Sequence, residues 1–335
     1  MQKISDFFPQ LATPKTIAIT MHQKPDGDAM GSTLGLYHFF TSIGHTAQVI
    51  SPTNWADFLN WMPGVNSVID FEQQTSEAKN WVQQAEFVFC LDFNTLPRTK
   101  NLAPILTAAI GKLILIDHHQ QPEETAFVYG ISDTSKSSTC EMVYDFIQAS
   151  GYANSMNIDC ATCLYTGIMT DTGSFRFPST KASVHRAVAH FKEMGLDHTS
   201  IHSHIFDSNK ENKLRFLGHV LLNRMYVKPE MHTAYICIPN ADLMRYHIKT
   251  GDTEGLVNYL LSMQGIIFGA IVIDREGERK WSFRSKGNFD VNTFARKHFE
   301  GGGHFNAAGG RSSDSLEQTV KKFKEVITAY EQDLQ

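Results

Sequence analysis

Apolar and polar positions follow two rhythms through the first half of the chain. Short β-rich apolar runs, KTIAITM, AQVIS, EFVFCL and KLILI, are separated by stretches with helical spacing, the first from Met30 to Ile43 and closed by Gly44. Runs apolar throughout suit strands buried on both faces, so the alternation predicts a mostly parallel sheet flanked by helices. Around 181–225 the pattern becomes helical and charged (KASVHRAVAHFKEMG, then NKENKLRFLGHVLLNRM), without a Gly/Pro-rich break. New strand candidates follow, TAYICI, GIIFGAIVID and KWSFRS, then a helix near FDVNTFARKHF, a loop EGGGHFNAAGG and a final amphipathic helix, SLEQTVKKFKEVITAY. The pattern predicts an α/β chain in two lobes: an N-terminal domain over 1–195, a helical connector over 196–229 and a smaller C-terminal α/β domain over 230–335.

Composition changes this picture only by exclusion. With 335 residues, 42% hydrophobic and 19% charged, the chain can bury two cores and does not resemble a disordered one. Its five cysteines form an odd set in mostly apolar segments, which suits reduced thiols in a cytoplasmic protein. Cys160 and Cys163 spell CxxC, but within the apolar helical stretch IDCATCLYTGIM, and no second pair with zinc spacing follows. No apolar run approaches the length that spans a membrane. A net charge of −5 argues against a broad surface for long duplex DNA, because non-specific affinity comes from neutralising many phosphates. A short ligand with few phosphates remains compatible.

Chemistry concentrates where strands are predicted to end. In MHQKPDGDAMG, residues 21–31, a turn accounts for Pro25, Asp26 and Gly27, and Asp28 could cap the following helix; the alternative is metal binding. Two further strand candidates also end in potential ligands. Asp92 follows EFVFCL, and Asp117, His118 and His119 follow KLILI. In an open parallel sheet such strand ends line one crevice. TDTGSFRF adds Asp171 just beyond an apolar helix. His22, Asp26, Asp28, Asp92, His118 and Asp171 can together build a two-ion site with an aspartate bridging, and mixed carboxylate and imidazole donors suit Mn²⁺ or a similar divalent ion. Such ions relieve the repulsion among four carboxylates, lower the pKa of a shared water and stabilise charge on a phosphate. His185, His190, His202, His204 and His219 fall in the helical stretch and read as packing or surface residues.

HxxxDxD at His22, Asp26 and Asp28, then Asp92, the Asp117-His118-His119 triplet and Asp171, resemble in order the four motifs of the DHH phosphoesterase superfamily. GGGHFNAAG, residues 301–309, resembles the signature of the DHH-associated C-terminal domain. Length and layout are most similar to the nanoRNase type, bifunctional oligoribonucleases and 3'-phosphoadenosine 5'-phosphate (pAp) phosphatases. The resemblance implies that His22 and Asp26 hold one ion, that Asp28, His118 and Asp171 hold the other, and that Asp92 bridges them. It implies that His119 faces the scissile phosphate, as anion contact or proton donor, and that Asp117 orients a histidine. In the second domain it implies substrate contacts from Arg284, Ser285, Gly302, Gly303 and His304, with the glycines letting backbone amides approach a phosphate.

The expected function is a manganese-dependent phosphohydrolase that trims very short single-stranded RNA and dephosphorylates pAp, with a homodimer as an open option. The rivals are a phosphodiesterase of linear or cyclic dinucleotides and, from a different class, a protein that uses metal to hold a nucleotide without turning it over.

Overall fold

In the computed structural model, which describes residues 1–249, 251–275 and 277–334, each expected apolar run of the first half becomes a strand. The chain divides into two units, Met1–Ser208 and Asn209–Gln335. The first unit has strands β1 (Gln2–Lys3), β2 (Thr16–Thr20), β3 (Thr46–Ser51), β4 (Ile69–Asp70), β5 (Phe87–Leu91), β6 (Lys112–Asp117) and β7 (Tyr129–Ser132). Their order is β1-β7-β6-β5-β2-β3-β4, and every pairing is parallel. Chain order runs outward in opposite directions from β2 and β5. The switch point therefore lies between these two strands, where their C-terminal ends open a crevice.

The first unit has seven α-helices: α1 (Gly27–Ser42), α2 (Thr75–Gln84), α3 (Ala103–Thr107), α4 (Thr139–Ala149), α5 (Ile158–Asp171), α6 (Ala182–Glu193) and α7 (His198–Phe206). Alternation along the strands sends Ile17, Ile19, Phe89 and Ile116 into a core with α1, α4 and α5, while Ala18, Val88, Cys90 and Leu115 face α2 and α3. Burying each large apolar side chain contributes about 1.5–3 kcal/mol, which explains why strands apolar on both faces are stable here.

Helix α1 begins three residues earlier than the pattern predicts. Asp26, not Asp28, is its cap: the Asp26 carboxylate accepts the backbone N–H groups of Asp28 and Ala29, each at 3.1 Å. Asp28 is thereby drawn into the first turn and buried. A second cause of this placement is a glycine face on α1. A Cβ at Gly31 would lie 2.5 Å from the Cys163 carbonyl oxygen, so only glycine lets α1 approach α5 this closely.

The second unit contains α8 (Glu211–Asn223), β8 (Met225–Lys228), β9 (Thr233–Ile238), α9 (Asn240–Arg245), α10 (Leu256–Leu261), β10 (Phe268–Arg275), β11 (Glu278–Ser285), α11 (Val291–His298), β12 (Gly302–His304), β13 (Ala307–Ser312) and α12 (Leu316–Thr328). The sheet order is β12-β13-β11-β10-β9-β8, with only β9 and β10 parallel. Trp281 anchors one face, its indole N–H donating to Thr319 Oγ1 at 3.0 Å. The expected α/β class and its two sheets are thus present. Two local features differ from the pattern. EGGGHFNAAGG is not a loop but the β12–β13 hairpin, because its small residues can pair at close range. The stretch 196–229 is shared between the units: Leu196 and Ile201 lie in the core of the first, Phe216 and Val220 in that of the second.

Candidate metal centre

Strand β2 delivers His22 to the crevice. Its Nδ1 lies 2.8 Å from the Gln23 carbonyl oxygen, so Nδ1 donates there and Nε2 is the nitrogen turned toward the carboxylates, whose hydrogen bond and charges raise the ring above the usual histidine value against its burial. Nε2 lies 3.3 Å from Asp92 Oδ2 and 3.8 Å from Asp26 Oδ2. Asp92 follows β5 with a left-handed backbone, φ 63°, a conformation that costs a non-glycine residue of order 1 kcal/mol and turns its side chain into the crevice. From β6 comes His118, whose Nε2 lies 3.4 Å from Asp171 Oδ2, 3.5 Å from Asp92 Oδ1 and 3.6 Å from Asp28 Oδ2. Among the described residues of the first unit three groups of ligand-type atoms share Asp92: His22 with Asp26, Asp28 with His118, and Asp117 with His119. The first two consist of the expected metal ligands. All six expected metal ligands are brought together in the first unit.

His119, next in sequence, is held differently. Its Nδ1 lies 2.7 Å from Asp117 Oδ1, so the buried carboxylate fixes the ring orientation and directs Nε2 away from it. Among the described residues, the other Asp117 oxygen is buried without a hydrogen-bond partner.

Burial and mutual repulsion oppose full ionisation of the carboxylates in this cluster. Burial, reinforced by the Asp92 charge, lifts Asp28 to about 7, and burial with the Asp28 charge raises Asp171 well above the usual carboxylate range. Burial likewise moves Asp117 to about 6. Asp92 behaves oppositely: burial pushes it up, but hydrogen bonds from His118 and His22 outweigh burial and hold it well below the ordinary value. His118 is the counterpart, driven against burial to about 10 by Asp92, Asp171 and Asp28. His119 is pushed down by burial, with the charges of Arg98, His118 and His22 adding to that effect, so it is neutral.

Several residues around the cluster carry no signal in the strand-end pattern. The first two N–H groups of α4 donate to Asp28, Thr139 to Oδ2 at 2.7 Å and Cys140 to Oδ1 at 2.9 Å, and Thr139 Oγ1 donates to Asp92 Oδ1 at 3.0 Å. The S-x-x-E spacing of Ser138 and Glu141 is a helix-start signature that marks this element in the sequence. Arg98 is the other omission. Its charge reaches His22, Asp117 and His119, and its carbonyl accepts the Gln23 N–H at 2.9 Å. Cys160 and Cys163 are buried in α5, and among the described residues neither joins a group of metal-ligand type.

The remaining candidates lie in the second unit. Arg284 on β11 and His304 on β12 are both in register with Ala307 on β13, which puts them on one face of the sheet with a small residue between. Ser285 is buried, its hydroxyl donating to the Phe289 carbonyl and accepting from Asn306 Nδ2. The Gly303 amide donates to Asn292 Oδ1 at 2.9 Å, so that amide already has a partner within the fold. A Cβ at Gly303 would lie 2.5 Å from the Ala307 carbonyl oxygen, which makes glycine a requirement of the hairpin itself.

A parallel sheet with carboxylates and imidazoles at its switch point, followed by a mixed-sheet domain, is the layout of a two-domain phosphoester hydrolase. The chain belongs to the DHH family: the DHH family N-terminal domain matches residues 16–168 and the DHHA1 domain residues 232–333. It is 28% identical to a bifunctional oligoribonuclease and PAP phosphatase NrnA of Thermus thermophilus, over 93% of this chain and 89% of that protein. It is 22% identical to a cyclic-di-AMP phosphodiesterase GdpP of Geobacillus thermodenitrificans, over 96% of this chain but 48% of that protein. The crystal structure of an exopolyphosphatase-related protein from Bacteroides fragilis superposes with a TM-score of 0.94 at 35% identity, covering 99% of this chain and 97% of that one. Among the described residues no helix is long and apolar enough to cross a membrane.

Proposed function

We propose that this hydrolase degrades very short RNA oligonucleotides to mononucleotides and removes a phosphate from pAp, with two divalent cations, Mn²⁺ by donor type, held by His22, Asp26, Asp28, Asp92, His118 and Asp171. The observation that carries the reading is the pair of ligand groups sharing Asp92. The donor set fits the ions. Burial and mutual repulsion raise Asp28 and Asp171, a cost that added positive charge would relieve, and His22 turns Nε2 toward Asp92 and Asp26. When bound, such ions supply positive charge to a reacting phosphoryl group and make water more acidic.

The protein's own groups divide the remaining tasks. Asp117 holds the His119 ring so that Nε2 is left to meet the scissile phosphate. His119 is neutral at rest, and a phosphate anion beside Nε2 favours the imidazolium, so on substrate binding His119 takes up a proton from solvent, which it can then give to the leaving oxygen. Arg284 and His304, sharing one sheet face, are the proposed contacts for the substrate's other phosphate or base, with Gly302 and the hairpin backbone alongside. Identity of 28% to the NrnA relative, against 22% to the dinucleotide phosphodiesterase, supports this reading over its rival.

The test is one substrate panel with Mn²⁺: pAp, 5'-phosphorylated RNA dimers to pentamers, a longer RNA, a cyclic dinucleotide and pyrophosphate, resolved by chromatography. Mononucleotides from the short RNAs and AMP from pAp are expected. Turnover confined to the cyclic dinucleotide would transfer the assignment to the rival activity, and nucleotide binding without turnover would make the protein a binder.

A further inference from the structure

Resting on the metal-centre reading above, we propose that Thr139 is the positioning residue that fixes the shared carboxylate, Asp92, and locks its orientation to that of Asp28. The argument begins with the start of α4. A helix leaves its first N–H groups without intrahelical partners, and here Ser138 Oγ accepts from Glu141 N at 3.0 Å while Thr139 N and Cys140 N are directed at the two oxygens of Asp28. Both Asp28 oxygens are thus held by one helix end. Thr139 is fully buried, and its hydroxyl leaves the helix to donate to Asp92 Oδ1. A single residue therefore grips two carboxylates from different elements, one through its backbone and one through its side chain.

The hydroxyl has a specific consequence. The terminal torsion of an aspartate is broad and nearly two-fold, so packing alone defines the carboxylate plane weakly. In Asp92 the two oxygens have distinct partners: Oδ1 takes the Thr139 hydroxyl and lies near His118, and Oδ2 lies near His22. Thr139 holds this division, which lets one carboxylate serve both ligand groups. Isosteric loss of the hydroxyl leaves the Asp28 contacts and the helix cap in place and frees only Asp92.

The test is Mn²⁺ binding by titration calorimetry without substrate, together with thermal unfolding of the metal-free protein. Thr139→Val should weaken Mn²⁺ binding about 10- to 100-fold, the usual cost of removing a group that orients a metal ligand. Thr139→Ser, which keeps the hydroxyl, should bind like the wild type. If Thr139→Val does not fold, Thr139→Ala carries the same expectation against the same serine control. Wild-type Mn²⁺ affinity in the valine or alanine variant overturns the proposal, as does equal impairment of the serine variant. Asp92→Ala, titrated in parallel, separates the two readings. If it loses Mn²⁺ while Thr139→Val does not, the positioning role alone falls. If it keeps full Mn²⁺ binding, the metal centre and the positioning role fall together.

Discussion

Asp28 shows how a single side chain is set between two demands. Its oxygens accept two N–H groups from α4, which favours the carboxylate, yet burial and the neighbouring charge of Asp92 favour the acid and carry it to about 7. In the metal-free protein the folded state therefore keeps a proton on Asp28 over a range where the unfolded chain, with the ordinary value of 3.8, has released it. Folded chains bind more protons in that window, so this group makes stability fall as pH rises from 3.8 towards 7. Asp28→Asn removes this dependence. Relative to the wild type without metal, the variant should gain stability across the window, on top of a constant loss because an amide oxygen replaces only one of the two acceptors. With Mn²⁺ present the comparison should reverse, since the wild type gains from ion binding and the variant lacks a ligand. Thermal unfolding at several pH values, with and without Mn²⁺, reads both effects; a pH-independent difference would mean that Asp28 is ionised in the metal-free fold. Much of this chemistry was legible in the sequence, because His22, Asp92 and His118 each follow an apolar strand and parallel strands share one outlet. Thr139 and Arg98 were not, since they reach the cluster through a helix start and a loop, with no strand to announce them.

At the scale of elements, α1 and α5 decide whether Asp28 and Asp171 can meet. Gly27, Gly31 and Gly35 recur every four residues along α1, and a Cβ at each would lie 2.5, 2.5 and 2.6 Å from Thr170 Oγ1, the Cys163 carbonyl oxygen and Leu164 Cδ2. Gly31 is the least forgiving because its neighbour is backbone and cannot swing aside. In an open helix Gly→Ala gains about 1 kcal/mol, whereas overpacking a tight contact costs about 1–3 kcal/mol, so the second effect should win at Gly31. The comparison is Gly218 in α8, where a Cβ would meet nothing within 4 Å. Gly218→Ala should raise the unfolding temperature of its unit and Gly31→Ala should lower that of the first unit. Gly31→Ala should also weaken Mn²⁺ binding, because Asp28 lies one turn from Gly31 and Asp171 one turn from Gly167, whose Cβ would lie 2.9 Å from Asp28 Oδ1. Equal shifts at the two positions would remove close packing as the cause. The strands and the long helices were readable as periodicity, but this contact was not: glycine reads as a weak point in a helix until its neighbour is known. The β12–β13 hairpin escaped for the same reason, its glycines serving close pairing between strands where the pattern suggests a loop.

For the whole molecule, the two-lobe layout was legible because each lobe carries its own apolar runs, while the division between Ser208 and Asn209 was not, because α7 and α8 form one charged, helical stretch in the sequence. Each unit has its own sheet and its own cores, so chemistry and recognition can be altered separately. Every proposed metal ligand is in the first unit, whereas Arg284 and His304 share a face of the second sheet. Arg284 is partly buried on β11, with one guanidinium nitrogen donating to the Phe283 carbonyl oxygen at 3.0 Å, so its fork is anchored at one end and its charge is not lost to bulk solvent. Removing it should leave Mn²⁺ affinity unchanged, because every proposed metal ligand is supplied by the first unit. For a 5'-phosphorylated dinucleotide, Arg284→Ala should lower kcat/KM by about 10- to 100-fold, the scale of one hydrogen bond to a charged group at about 1.5–3 kcal/mol. Bis-p-nitrophenyl phosphate has no second phosphate to be held, so its slower hydrolysis should change little. Equal losses on both substrates would place Arg284 in the chemical step or the fold, and no loss on either would remove it from substrate recognition. A selective loss on the dinucleotide, with metal binding intact, would show that the second unit contributes recognition to a reaction whose ions belong to the first.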